Sequence, residues 1–233
     1  MDWPYNDRTL PSHRMRWIPI PFWCTLDLIG SIMSLPQDNP IFTVEEYLAL
    51  ERSSEERHEY LDGQIFSMAG ESGAHADLTV NLTGILHDQL RGTPCRARSK
   101  DTKVRSGPVP APGRSTSGLY SYPDLLVVCG DPQYHDTHTD VIINPTVLIE
   151  VLSPSTEAFD RGEKFVRYQI WNPTVQDYLL VSQDRARIEV YHRQVGGGWS
   201  YSLHEGRQSI VQIPTIACRL SLSDVYDRVI PWE

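Results

Sequence analysis

Residues 124–129 read DLLVVC and residues 146–152 read TVLIEVL, and these two runs decide the fold. Both are almost entirely apolar and rich in β-branched residues, which is typical of central strands buried on both faces. Each run carries one carboxylate, Asp124 at the start of the first and Glu150 inside the second. A carboxylate is costly to bury without a cation beside it, so the sequence predicts that both acids have a functional partner.

The spacing of these two acids predicts a metal site. They are separated by 26 residues, which is room for a strand, a loop and a neighbouring strand, so we expect both carboxylates at one edge of a sheet. Mg²⁺ or Mn²⁺ takes oxygen ligands from one or two carboxylates, water and a substrate phosphate. Such an ion promotes phosphodiester hydrolysis. Lys164, in the next predicted helix, would orient the attacking water and offset the negative charge.

Local signals outside the two runs predict helices and a hairpin. The TVEE sequence at 43–46 is a capping box that opens a short helix. An Asp-Gly turn at 62–63 joins two short strands, of which the first carries Glu59. Leucines at helical spacing predict an amphipathic helix over residues 76–90, and Asp160 is expected to cap a later helix. The order of these elements predicts an α/β fold in which a central mixed sheet is flanked by helices.

The charge balance limits how this chain can bind a polyanion. The 233 residues include 21 basic and 30 acidic ones, a net charge of -9, which repels nucleic acid as a whole. The sequence CRARSKDTKVR at 95–105 has the alternation of a half-buried strand with one cationic face. This face either protects a sheet edge or binds the phosphate backbone. The candidate substrate-binding residues are Arg96, Arg98, Lys100 and Lys103.

Histidines and cysteines give weaker signals. His75, just before the helix at residue 76, is a candidate contact to phosphate or metal, although a polar residue there is often a cap. His135 and His138 form an H-x-x-H pattern in a polar loop, where a solvated loop is favoured over a zinc site. The four cysteines are widely spaced, and we expect small buried thiols in a reducing, cytoplasmic compartment.

The first 40 residues are expected to be an N-terminal extension, disordered or loosely packed, ahead of a catalytic domain at 41–233. Residues 15–33 are apolar, but two prolines and an aspartate interrupt them, so no membrane span is predicted. Translation from Met33 is a further hypothesis.

Four segments together resemble one family. HEYLDGQIFSMAG (58–70), YPDLLVV (122–128), IEVLSPST (149–156) and a D-x-x-x-K-x-x-x-Y pattern at 160–168 are similar to the Uma-two family of restriction-endonuclease-like proteins, in the PD-(D/E)XK nuclease superfamily. The resemblance covers roughly residues 41 to 230. It implies a restriction-endonuclease-like fold and a divalent-metal-dependent endonuclease that acts on DNA rather than RNA.

The resemblance also implies roles for individual residues. Asp124 and Glu150 match metal ligands, and Glu59 matches a third carboxylate facing the metal. The lysine usually found two residues after the second acid is absent, because Leu152 occupies that position. Lys164 matches a lysine moved to the next helix, and Tyr168, four residues later, would touch substrate or fix that lysine.

Two other functions remain open from the sequence alone. The displaced lysine and the acidic composition are compatible with a catalytically inactive nuclease-fold module that binds nucleic acid or a protein partner. A serine hydrolase using Ser153 or Ser155 is disfavoured because no G-x-S-x-G motif surrounds either residue. A homodimer would suit a nuclease that cuts both strands.

Overall fold

Two mixed β-sheets form the centre of the fold in this computed structural model, which describes residues 40–68 and 70–229. The strands are β1 His58–Leu61, β2 Gln64–Ser67, β3 Cys95–Ser99, β4 Lys103–Ser106, β5 Leu119–Ser121, β6 Leu125–Cys129, β7 Val141–Ile142, β8 Val147–Val151, β9 Asp177–Val181, β10 Arg187–Arg193, β11 Trp199–Glu205, β12 Ile210–Ile213 and β13 Cys218–Ser221. The helices are α1 Val44–Ser53, α2 Gly73–Gln89, α3 Glu157–Phe159, a π-helical turn Asp160–Lys164, α4 Phe165–Trp171, a 3₁₀ turn Pro214–Ile216 and α5 Leu222–Val225.

The larger sheet has six strands in the order β11-β10-β9-β8-β6-β3, with β8 and β9 parallel and the other pairs antiparallel. The two apolar runs are neighbouring inner strands, as predicted. Their side chains alternate between two cores. Leu125 and Ile149 face α2 and α5, whereas Leu126 and Leu148 face the cluster that includes Phe165. The predicted mixed α/β architecture is confirmed.

The smaller sheet has five strands in the order β2-β1-β5-β4-β7 and packs against α1. The capping box is present, because Thr43 and Glu46 exchange hydrogen bonds at the start of α1. The Asp-Gly turn also forms as predicted. Both of its residues have positive φ, 45° at Asp62 and 91° at Gly63, the conformation that favours Asp and Gly in two-residue hairpins. This hairpin places Glu59 on β1.

The helix after β8 begins earlier than the sequence predicts. Thr156 precedes α3, and the Ser153 hydroxyl accepts a hydrogen bond from the Thr156 amide at 3.2 Å. The prediction that Asp160 caps this helix is therefore wrong, since Asp160 opens the π-helical turn inside it. A π turn is rare within helices and is often found at functional sites.

The basic run at 95–105 does not form one strand. It divides at a turn over residues 100–102 into β3, an edge strand of the larger sheet, and β4, an inner strand of the smaller sheet. The predicted strand with one basic face is therefore confined to β3, which carries Arg96 and Arg98, and the prediction that it extends to residue 105 is wrong. Lys103 is buried, whereas Arg96 is exposed.

The structure corrects the prediction for two cysteines. Cys95 and Cys129 lie opposite each other on β3 and β6 and form a disulfide, so they are not free thiols. Cys218 is a buried free thiol, as expected. The predictions for the N-terminal extension and its apolar stretch concern residues outside the described ranges. Within the described ranges, no helix has the length and apolar character required to cross a membrane.

Candidate active site

Asp124 and Glu150 lie at the same end of neighbouring strands. Leu125 pairs with Ile149 in the antiparallel ladder, so continuing the register by one residue places Asp124 opposite Glu150. The backbone amide of Val151 donates a hydrogen bond to Oδ2 of Asp124 at 2.7 Å. The β6–β8 pairing therefore holds the two carboxylates side by side at one end of these inner strands.

Glu150 is buried and faces the helical segment after β8. Its side chain is 4% exposed, and its Oε1 lies 2.9 Å from Nζ of Lys164. Burial raises the pKa of Glu150 well above its ordinary value, the neighbouring Lys164 opposes this shift, and the charges of Asp160 and Asp124 add to it. A further cation beside Glu150 would favour its charged form.

Lys164 is the one ammonium group in contact with this cluster among the described residues. Its Nζ lies 2.9 Å from Glu150, 3.3 Å from Asp160 and 3.8 Å from Glu59. Burial alone would lower the pKa of Lys164, but the surrounding carboxylates and Tyr168 outweigh burial and raise that pKa. Lys164 is therefore protonated at neutral pH.

Glu59 reaches the cluster from the smaller sheet. Its Oε1 accepts a hydrogen bond from the backbone amide of Tyr122 at 2.9 Å, which ties β1 to the segment that precedes Asp124. Burial raises the pKa of Glu59, Lys164 and the Tyr122 amide counteract this, and Asp160 and Asp124 add to it. The two sheets thus contribute carboxylates to one site.

Asp160 also belongs to this cluster, although the sequence predicted only a helix-capping role for it. It is buried, and its Oδ1 lies 3.3 Å from Lys164 Nζ. The phenol of Tyr178 donates to its backbone oxygen at 2.9 Å and anchors the π turn against β9. The four-residue spacing between Asp160 and Lys164 was the available signal, because residues at that spacing share a helix face.

Tyr168 is fully buried beneath the cluster. Its hydroxyl lies 2.9 Å from Oγ of Ser121 and donates to Glu150 Oε1 at 3.4 Å. This position suits a residue that orients Glu150. The ring is covered, and a contact between Tyr168 and substrate stays a prediction.

His75 lies in the first turn of α2 and contacts Asp124. The N-cap of this helix is Ser72, so the cap alternative for His75 does not hold. Its Nε2 is 2.6 Å from Oδ1 of Asp124. With the Val151 amide on the other oxygen, both oxygens of Asp124 are held by the protein.

The carboxylate oxygens of this cluster are the kind of ligand that a hard divalent cation prefers. Three acids, Glu59, Asp124 and Glu150, supply carboxylate oxygens, and Asp160 adds a fourth negative charge, against the single ammonium of Lys164. In the described part of the chain no three His, Cys, Asp or Glu side chains are already arranged around a common point. The acids instead bind Lys164, His75 and backbone amides, so a cation would compete with these contacts.

The candidate substrate-binding residues are spread around this region. Arg98 donates to the hydroxyl of Tyr134 at 3.0 Å, and Lys100 pairs with Glu71. Lys103 is buried and pairs with Asp140 at 3.3 Å. Arg96 is exposed on β3.

The carboxylates of the H-x-x-H loop are paired with an arginine. Its acids, Asp136 and Asp140, each lie 2.8 Å from the guanidinium of Arg52, which lowers the pKa of both carboxyl groups despite partial burial. Arg52 thus engages the two carboxylates that could otherwise join His135 and His138 as zinc ligands.

Comparison with known proteins assigns the family. The Uma2 family, described as "Putative restriction endonuclease", matches residues 44–223. Two uncharacterized proteins of Synechocystis sp. are 40% and 31% identical over 160 and 159 residues, covering 69% and 68% of this chain and 78% and 85% of those proteins. The crystal structure of "a putative nuclease belonging to DUF820 from Anabaena variabilis" covers 81% of this chain and 99% of its own, with a TM-score of 0.64 and 18% identity, and it supports the fold. The chain therefore belongs to the Uma2 family of restriction-endonuclease-like nucleases.

Proposed function

We propose that this chain is a divalent-metal-dependent endonuclease that hydrolyses phosphodiester bonds in DNA, with Mg²⁺ or Mn²⁺ as its cofactor. One observation carries the proposal: three carboxylates, from both sheets and the π turn, converge on one buried ammonium group, and Asp124 lies opposite one of them, Glu150. Neighbouring carboxylates repel one another and so raise one another's pKa. A divalent cation bound between them would reduce that repulsion. The description of the family as restriction endonucleases supports DNA as the substrate.

Glu59, Asp124 and Glu150 would hold the cation. Asp124 is already oriented by His75 and the Val151 amide, and each of its oxygens keeps a lone pair for a further bond. When bound, the cation would polarise a phosphoryl oxygen and lower the pKa of a bound water. The protein contributes a site that is shielded from bulk water, where these charges act strongly.

Lys164 would orient the attacking water and balance negative charge that develops on the phosphate. It remains protonated because several carboxylates surround it. Tyr168 would keep Glu150 in place through its 3.4 Å contact. Both residues come from the helical segment after β8, so the π turn and α4 position them together.

The exposed basic groups of β3 would bind the phosphate backbone. Arg96 is exposed, and Arg98 is held against Tyr134 with its guanidinium 5.8 Å from the ring centre. Lys100 can take part only by leaving Glu71. Lys103 is buried against Asp140, which favours a structural role for it.

Plasmid nicking tests the proposal. Supercoiled plasmid incubated with purified protein should be nicked in the presence of Mg²⁺ or Mn²⁺ and not with EDTA. Glu150→Gln should abolish nicking. Asp177→Asn is a matched control, because Asp177 is comparably buried but pairs with His192 at the other end of β9 from Leu180, the neighbour of Glu150. Nicking by Glu150→Gln at the wild-type rate would remove Glu150 from the reaction.

A non-catalytic binding module is the second candidate, and one observation favours it. Lys164 is already satisfied by three carboxylates, so the cluster is also compatible with a structural ion-pair network. Such a module would bind DNA without cutting it in any divalent metal. A gel-shift assay run beside the nicking assay therefore separates the two functions.

A further inference from the structure

Gln183 lies in the turn between β9 and β10 and contacts three groups beside the carboxylate cluster. Its Nε2 donates to the backbone oxygen of Leu152 at 2.6 Å and lies 3.4 Å from Nδ1 of His75. Its Oε1 accepts a hydrogen bond from the hydroxyl of Ser72 at 2.6 Å. These contacts engage both ends of the amide.

The neighbours of this amide determine its orientation. A carbonyl oxygen such as that of Leu152 only accepts hydrogen bonds, so the atom of Gln183 that faces it must be the NH₂ group. The same NH₂ group faces Nδ1 of His75 and has no lone pair with which to accept. Nδ1 must therefore be the acceptor, and the ring proton of a neutral His75 lies on Nε2.

The proton on Nε2 points toward Asp124. Nε2 is 2.6 Å from Oδ1 of Asp124, so the ring donates to that carboxylate. A ring rotated by 180° would present carbon atoms to Asp124 and Gln183 in place of these contacts. Asp124 would then be held only by the Val151 amide on Oδ2.

We infer that Gln183 is a positioning residue that fixes the ring of His75, through Nδ1, so that Nε2–H holds Asp124. The link between Gln183 and His75 is independent of any metal. Its consequence for metal affinity rests on the proposed function, because it requires Asp124 to be a ligand. Hydrogen bonds that orient a ligand from behind commonly change metal affinity by about 10- to 100-fold when removed.

Nuclear magnetic resonance of the metal-free full chain tests the contact itself. Long-range ¹H–¹⁵N spectra of His75, recorded under mildly alkaline conditions in which an imidazole is neutral, should show the proton on Nε2 and an Nδ1 resonance shifted by a donor. Gln183→Ala should move the Nδ1 resonance toward the value of a free lone pair. Gln208→Ala, at an exposed position before β12, should leave it unchanged. A wild-type proton on Nδ1, or no shift in Gln183→Ala, would overturn the inference.

A double-mutant cycle tests whether Gln183 acts through His75. By Mn²⁺ titration, Gln183→Ala should weaken binding by roughly threefold to tenfold in the wild-type background and have no further effect in His75→Ala. Equal effects in both backgrounds would contradict action through the ring. An intact wild-type spectrum in a protein that binds no Mn²⁺ would instead support the Gln183 contact and refute the metal-site proposal.

Discussion

Replacing Lys164 with methionine should destabilise the protein in the absence of metal. The methionine chain fills similar space, so the substitution mainly removes the ammonium group. Glu150 and Asp160, both nearly fully buried, would then lose their shared cation. Removal of one partner from a buried ion pair is costly because the other charge stays buried.

The distances from Nζ of Lys164 to the carboxylates set the size of the expected destabilisation. A pair of unit charges 4 Å apart attracts by about 4 kcal/mol at an effective dielectric constant of about 20. Nζ of Lys164 lies within 3.8 Å of three carboxylates, so the gross attraction is at least of this size. Release of the ammonium from its desolvated position offsets part of it. The expected loss in the free energy of unfolding is about 3–5 kcal/mol, the range measured for broken buried pairs.

Urea denaturation at pH 7 without metal measures this loss. Lys103→Met is the matched control. Lys103 is equally buried but pairs with a partly exposed carboxylate, Asp140, so the loss in this variant should be smaller. The double variant Lys164→Met/Glu150→Gln should recover about 1–3 kcal/mol, because it also removes the stranded charge. A loss below about 1 kcal/mol in Lys164→Met, or no recovery in the double variant, would refute the account of a charged buried cluster.

Three further outcomes are expected. Burial raises the pKa of Glu150 and Glu59 above the ordinary 4.5, so the native state binds protons more tightly than the unfolded chain. The contribution of these two groups to the stability of the metal-free protein therefore falls as the pH rises above about 4.5. Thermal melts should consequently show a larger Mg²⁺ stabilisation at pH 8 than at pH 5, and an equal gain would contradict this linkage. Peptide mapping without reductant should recover Cys95 joined to Cys129. Reduction should lower the free energy of unfolding by roughly 3–4 kcal/mol, given the separation of 34 residues. Alkylation of both thiols without reductant would disprove the pairing. Arg96→Ala should weaken DNA binding and reduce its salt dependence by about one phosphate contact, and an unchanged salt slope would exclude this contact.

Local signals predicted much of the fold. The capping box at Thr43 and the turn at 62–63 depend on neighbours in sequence, so both formed as expected. The strand that follows Asp124 and the strand that contains Glu150 could also be predicted, because a run of apolar β-branched residues is typical of a buried strand. The convergence of Glu59 with these acids followed from the family resemblance rather than from any local pattern.

What the sequence could not show depends on contacts between distant segments. The basic run divides between two sheets because its first part pairs with β6 and its second part with β5. The alternation within the run contains no information about these partners. The Cys95–Cys129 pair requires the strand register. In the sequence, Asp160 has the position of a helix cap. In the structure the helix begins earlier, after Thr156, and Asp160 lies in the π turn and is buried.

Titration calorimetry with Mn²⁺ tests the central claim most directly. The account predicts one site per chain in the wild type, affinity weakened by at least about 10-fold in Asp124→Asn and in Glu150→Gln, and wild-type affinity in Asp177→Asn. Binding of equal strength in all four proteins, or no binding in the wild type, would contradict a metal site built from these carboxylates.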